Sequence, residues 1–331
     1  MKKIILSLVI ALTTVSLYAQ IDRSTMPEAG PAPTINLEEP TRFELKNGLT
    51  VMVVENHKLP RVSIQLSIDN PPSLEGEKAG VSSLAAGLLG NGSTNISKDA
   101  FNEEVDFLGA SLNFGASSAF ASSLSKYFPR ILELMADAAI NPNFTEEEFQ
   151  KEKEKLLTGL KSQEKDVSAM AGRVQSAIAY GKEHPYGEFA TEETVNKVGL
   201  EDAKKFYQTY FNPNNAYLVI IGDVDTKAVK KLVKKHFNSW EKGAQVLTNW
   251  KNPVAASQAT INFIDMPNAV QSEVSVQNVV NLQMKDPDYL PTLMANRILG
   301  GGGSARLFQN LREDKAYTYG SYSSIGNSKY V

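Results

Sequence analysis

The run Arg42-Phe43-Glu44-Leu45-Lys46-Asn47-Gly48-Leu49-Thr50-Val51-Met52-Val53-Val54 most restricts what this chain can fold into. Two strand-like runs flank Asn47-Gly48, and both turn residues tolerate the positive φ that a tight hairpin needs. Arg61 to Ile68 then alternates Val62, Ile64, Leu66 and Ile68, one apolar face of a further strand. Helical spacing predicts helices over Ala79–Leu89, from near Ser97 through Phe101, Val105 and Leu108, and over Tyr127–Ile140. Gly109 to Phe120 alternates again and reads as a strand. Thr145 and Glu148 read as a capping box for a charged helix reaching about Lys165. Ser168–Tyr180, Glu201–Phe211 and Thr226–Phe237 read as helices and Ala216–Ile221 as a buried-type strand.

The polar, Pro-containing stretch from Trp240 to Ser257 reads as a linker. Beyond it the pattern predicts strands near Thr260–Phe263 and Glu273–Val279 and a helix near Tyr289–Leu299. The run Gly300–Gly303, an amphipathic helix and the aromatic Tyr317-Thr318-Tyr319 follow. Strands in hairpins with helices segregated between them point to an α+β layer fold. A first domain over 37–240, a linker over 241–257 and a second, incomplete domain over 258–331 are expected.

Composition excludes several function classes. The 331 residues carry a formal charge of −3 with no clustered Lys and Arg, which gives nucleic acid no phosphate-binding stripe. Cysteine is absent, which removes thiol catalysis, disulfides and Cys-based metal sites together. Lys2-Lys3, the apolar Ile4–Leu17 and Tyr18-Ala19-Gln20 have the three parts of a secretory signal peptide over 1–19, too short in its apolar region for a stable membrane anchor. Residues 20–36, with Pro27, Pro31 and Pro33, read as a flexible arm. Export to a periplasmic or extracellular location is the expectation.

Gly300–Gly303 is followed by Ser304-Ala305-Arg306, not by the Lys-Ser/Thr pair that a phosphate-binding loop requires. The whole run from Gly300 to Gly320, with Arg312 seven residues before Tyr319, instead resembles the second-domain signature of the insulinase/pitrilysin family of zinc peptidases. Asn47-Gly48-Leu49-Thr50-Val51, His184-Pro185-Tyr186-Gly187, Asn214-Asn215-Ala216 and Gly222-Asp223-Val224 resemble other stretches of that family, in the family's order. The resemblance implies paired α+β domains related to mitochondrial processing peptidase, the second cut short here.

Active members carry an inverted motif, H-x-x-E-H, in which two imidazoles one helical turn apart hold Zn²⁺ and the Glu polarises its water, with a later Glu as third ligand. At the matching positions this chain has Ser83 and Gly87 for the two His, Ala86 for the general base and Gly159 for the third ligand. The three histidines do not replace them: His57 reads as a solvated loop residue, His184 as a turn-fixing residue and His236 as a cation placed favourably at a helix C-terminus. No cofactor is expected in this chain, and zinc is expected in a partner subunit.

The resemblance makes Arg312 and Tyr319 the substrate-binding candidates. Arg offers a rigid multi-donor fork for a carbonyl or carboxylate, and a Tyr hydroxyl donates to a developing oxyanion. Tyr317 shares the strand face expected for Tyr319 and joins the set. In two-chain members one subunit brings zinc and the other this Arg–Tyr pair. The chain therefore reads as an exported pseudoenzyme, the peptide-binding half of a heterodimer with a zinc-bearing homologous peptidase subunit. A peptide-binding or assembly scaffold without a peptidase partner is the alternative.

Overall fold

A six-stranded mixed sheet, seen in a computed structural model, organises the chain in the order β1-β2-β6-β3-β5-β4. The structure describes residues 30–31, 34, 39–248, 250–326 and 329–330. The expected signal peptide, 1–19, and most of the 20–36 arm lie outside the described residues. The elements of the described residues fall within Pro40–Val331.

The opening hairpin forms as its turn residues require. β1 (Thr41–Glu44) pairs antiparallel with β2 (Thr50–Glu55), Glu44 opposite Thr50, and Gly48 turns the chain at φ +92°. β3 (Arg61–Ile68) pairs antiparallel with both β5 (Ser118–Leu124) and β6 (Ala216–Gly222), while β6 runs parallel to β2. The stretch expected as one strand over Gly109–Phe120 is instead a hairpin, β4 (Ser111–Gly115) turning into β5. Alternation continues across Ala116-Ser117, so the period-2 pattern alone does not reveal the reversal.

Helices cover one face of this sheet. α1 (Val81–Leu88) comes first and α2 (Lys98–Phe107) second, the latter capped by the Ser97 hydroxyl, which accepts from the Ala100 N–H. α3 (Phe128–Ile140) is apolar at three- and four-residue spacing and buries Ile131, Leu132, Met135, Ala138 and Ala139. α4 (Glu146–Gln163) starts where the Thr145 hydroxyl accepts from the Glu148 N–H, with three glutamates in its first turn to complement the dipole. α5 (Val167–Tyr180), α6 (Glu192–Asn196) and α7 (Leu200–Tyr210) follow, and α8 (Thr226–Phe237) buries Val229, Val233 and Phe237. Two apolar clusters result. One joins the sheet to α3 and α8; the other packs α1 residues Val81, Leu84, Ala85 and Leu88 against Phe149, Leu160, Val195, Val198 and Ala203.

Trp240, at the head of the expected linker, belongs to the first core, with its ring 5.8 Å from Phe211 and 6.2 Å from Phe237. The strands expected near Thr260–Phe263 and Glu273–Val279 are not formed, nor is one at Tyr317–Tyr319. Their side chains, among them Ile261, Phe263, Val274 and Val276, are exposed. A period-2 pattern becomes a strand only when a neighbour takes its backbone donors and acceptors, and none of the described residues does so. The expected helix is present as α9 (Tyr289–Gly300), followed by α10 (Arg306–Phe308), which continues as a π-helical segment, Gln309–Asp314.

Asn47 does more than turn the hairpin. Its buried amide donates to the carbonyls of Phe237 (2.8 Å) and Trp240 (2.9 Å), closing the C-terminus of α8, and its side-chain oxygen accepts from the Leu49 N–H at 3.3 Å. Asn47→Ala leaves two carbonyls short of a donor and should cost roughly 2 kcal/mol. Urea titration is expected to show a lower midpoint at unchanged m-value, and an unshifted midpoint would refute the cap.

Candidate functional site

α1, the helix on which the resemblance puts the degenerate zinc-site positions 83, 86 and 87, is fully formed over Val81–Leu88. Gly80 precedes α1 at φ +107°, and a Cβ there would sit 2.8 Å from Val195 Cγ2, so both conformation and space demand glycine. The buried face of α1 leaves Ser83 exposed and Ala86 and Gly87 half-buried on the other side. Ser83 and Gly87 lie one turn apart, the spacing that lets two ligands grip one ion. Here they offer one hydroxyl and a hydrogen.

α4 packs beside α1 and brings a carboxylate that sequence reasoning missed. A Cβ added at Gly87 would meet Glu152 Oε2 at 2.7 Å, so Glu152 lies in the space a side chain at position 87 would use. Glu152 pairs with Lys155 Nζ at 3.4 Å. Gly159, two turns further along α4, faces open space within 4 Å. One carboxylate and one hydroxyl fall short of the three ligands a catalytic zinc needs. Among the described residues no group of three His, Asp or Glu side chains is placed to hold a metal ion. The residues present therefore do not fit zinc.

Arg312 sits in the π-helical segment after α10. Its guanidinium lies 4.7 Å from the centre of the Phe308 ring, and Nε is 3.5 Å from Glu313. The carbonyl of Arg312 accepts from the Ala316 N–H (3.0 Å) and that of Leu311 from the Tyr317 N–H (2.9 Å), which joins Arg312 and Tyr317 through one turn. The side chains of Tyr317 and Tyr319 are 78% and 83% exposed. The face-sharing expected of them as strand residues is not realised, because no strand forms there. Among the described residues no hydrogen bond or ion pair links Arg312, Tyr317 or Tyr319 to α1.

The histidines stand apart. His57 bridges two carboxylates, Nδ1 to Asp223 at 2.7 Å and Nε2 to Glu55 at 3.5 Å; the Asp223 bond chiefly raises its pKa, with Glu55 adding. His184 is 2% exposed; its Nδ1 accepts from the Tyr186 N–H at 3.1 Å, which fixes the turn and puts the ring proton on Nε2. Burial pushes its pKa down. At His236, expected as a cation at the helix C-terminus, burial first and Lys235 second push the pKa below the ordinary imidazole value.

Comparison with known proteins places this geometry. The model of the insulinase family, peptidase family M16, matches residues 50–187, and that of the M16 inactive domain matches residues 197–330. The chain belongs to the insulinase family. It is 24% identical over 288 residues to the zinc protease YmxG of Bacillus subtilis, covering 85% of this chain and 69% of that protein. A non-peptidase homolog, YmxG of Helicobacter pylori, is 22% identical over 84% of this chain and 65% of its own length. In fold, the chain is similar to the crystal structure of a peptidase M16 inactive domain from Pseudomonas fluorescens (TM-score 0.75, 23% identity, 88% of this chain and 71% of that one). A protease from Helicobacter pylori gives a TM-score of 0.72 at 22% identity over 87% of this chain and 72% of its own. This insulinase-family chain thus has the α+β architecture of two M16-type domains without the zinc ligands.

Two outcomes follow from the site. Gly87→His places an imidazole where the Glu152 carboxylate lies, so its effect on stability should be non-additive with that of Glu152→Ala by at least about 0.5 kcal/mol, as read by thermal melts of the four-member cycle. Additive effects would show that the two positions do not share space. Two histidines with lowered pKa values set an acid limit. For His184 and His236, with folded pKa values below the unfolded value of about 6.5, stability is full above that value and falls as the unfolded chain takes up protons below it. His57 acts oppositely, its contribution full below about pH 6.5 and lost as pH rises through its raised pKa. His184→Asn should flatten the acid limb of a stability–pH curve, and an unchanged limb would contradict the assignment.

Proposed function

We propose that the chain is the non-catalytic, peptide-binding subunit of a two-chain zinc peptidase, exported and paired with a homologous subunit that carries H-x-x-E-H. One observation carries the reading: α1 is a well-packed helix, yet positions 83, 86 and 87, where the resemblance expects the zinc motif, hold Ser, Ala and Gly, with Glu152 filling the space beside Gly87. On this reading the helix is kept and its metal chemistry is lost. The face of the sheet away from the helices adds support. It exposes Phe120 and Leu124 on β5 and Tyr217 and Ile221 on β6, two apolar rows flanking the polar β3 row Arg61, Ser63, Gln65 and Ser67, a surface against which an extended peptide can lie. Arg312, Tyr317 and Tyr319, all exposed, are the groups that meet the peptide, with Arg312 on a backbone carbonyl or carboxylate and Tyr319 donating to the oxyanion that forms in the partner's site.

A second reading, an assembly scaffold without a peptidase partner, draws on α9, where Leu290, Met294 and Ile298 form an exposed apolar stripe at four-residue spacing. Recovery of non-peptidase proteins alone from the native envelope would favour it.

The purified chain should bind no stoichiometric zinc and cleave no peptide. Mixing it with a zinc-bearing homologue from the same source should restore cleavage, and Arg312→Ala should then lower kcat/KM by at least about tenfold. Restored cleavage indifferent to Arg312→Ala would sink the role of the Arg–Tyr pair, and no cleavage with any such homologue would sink the two-chain reading.

A further inference from the structure

Trp250 leaves the polar connecting segment and returns to the first domain. Its Nε1–H donates to the Pro72 carbonyl at 3.0 Å, and its ring lies 4.6 Å from the His184 ring at 65°, edge to face. Tyr180 stacks on the other side of His184 at 5.3 Å, and Tyr186 packs at 5.4 Å. The slot is thus made by the end of α5, the 184–187 turn and the loop after β3. That loop is itself fixed by Glu188, which accepts from the backbone N–H groups of Glu75 and Gly76. Between Gly243, held by the Asn214 amide (2.6 Å), and Glu273, the hydrogen bond and ring contact to residues 40–240 among the described residues are those of Trp250.

The slot contains one orphan. His184 Nε2 is buried without a hydrogen-bond partner, while Nδ1 is committed as acceptor to the Tyr186 N–H. Adding a proton converts Nδ1 to a donor that faces another donor at 3.1 Å, so the turn must open to accept it. We propose that the Trp250–His184 contact is an acid-releasable latch, which holds the segment between the two domains against the first domain at neutral pH and lets it go when His184 is protonated.

The charges around the slot do not counter this. Lys182 and Glu183 on the turn and Lys251 beside Trp250 are exposed; the Glu188 carboxylate is spent on backbone N–H groups; Glu75 accepts from the Gly80 N–H; Glu77 is exposed. Tyr180 and Tyr186 face the imidazole with their aromatic rings. An imidazolium beside an indole is attractive by itself. Against that attraction stand loss of hydration and the donor–donor conflict, and burial is the cause that lowers the pKa. By linkage, a group that resists protonation in the latched state favours the released state once protons are supplied.

The chain has two tryptophans, and Trp240→Phe leaves Trp250 as the reporter. Emission of the full-length Trp240→Phe protein is expected to shift to the red on acidification, with a midpoint below the free-imidazole value of about 6.5 and before global unfolding seen by far-ultraviolet dichroism. His184→Asn, which keeps an acceptor for the Tyr186 N–H and cannot be protonated, should remove the transition. A transition that persists in His184→Asn, or none in the parent, overturns the latch. Should His184→Asn fail to fold, limited proteolysis of Trp250→Ala at neutral pH decides. Cleavage within 241–257 at least about tenfold faster than in the parent supports the latch, and an equal rate overturns it.

Discussion

The structure depends on β6 entering between β2 and β3. Residues 216–222 come long after the first three strands in sequence, yet they pair antiparallel with β3 along their whole length and parallel with β2 from Tyr217 to Gly222. Without that strand, the β1–β2 hairpin and the β3–β5–β4 sheet are separate pieces, each with an unpaired edge. Every contact β6 makes spans a long stretch of chain, so its loop-closure entropy is offset only by burial of Ala216, Leu218 and Ile220 against the helices. Gly222 marks how close the fit is: at φ +144° its missing side chain would run into the Arg61 carbonyl, and its own carbonyl accepts from the Asn56 N–H.

β6 also fixes the site's surroundings. α7 precedes it and packs on α1, and α8 follows it and is closed by Asn47 of the opening hairpin. α1 is therefore stabilised by packing on its apolar face, independent of any ion on the other. This explains how Ser83, Ala86 and Gly87 are tolerated. Where a structural zinc contributes folding energy outright, its loss unfolds the domain; here Val81, Leu84, Ala85 and Leu88 supply the anchoring, and the rim is free to vary.

The first domain was largely legible because its elements obey local rules: Asn47-Gly48 for a hairpin, Ser97 and Thr145 for helix starts, four-residue apolar spacing for α3 and α8. The reversal at Ala116-Ser117 was not, since both arms keep the same alternation. Thr260–Phe263 and Glu273–Val279 show the converse case, a valid strand pattern left extended for want of a neighbour. At the candidate site, absence of ligands could be read from residue types alone. Glu152 could not, because only the packing of α4 on α1 brings its carboxylate to Gly87.

The sequence by itself determined most elements of the first domain, the β4–β5 reversal excepted, and the family, because each of these resides in residue identity and short spacing. Tertiary structure alone decided the insertion of β6, the capping of α8 by Asn47 and the burial that lowers the pKa of His184 and His236. It also decided the seating of Trp250 on His184. The physical reason is common to all of these. Hydrogen-bond partners and burial depend on neighbours distant in sequence, and no local pattern encodes which of them will arrive.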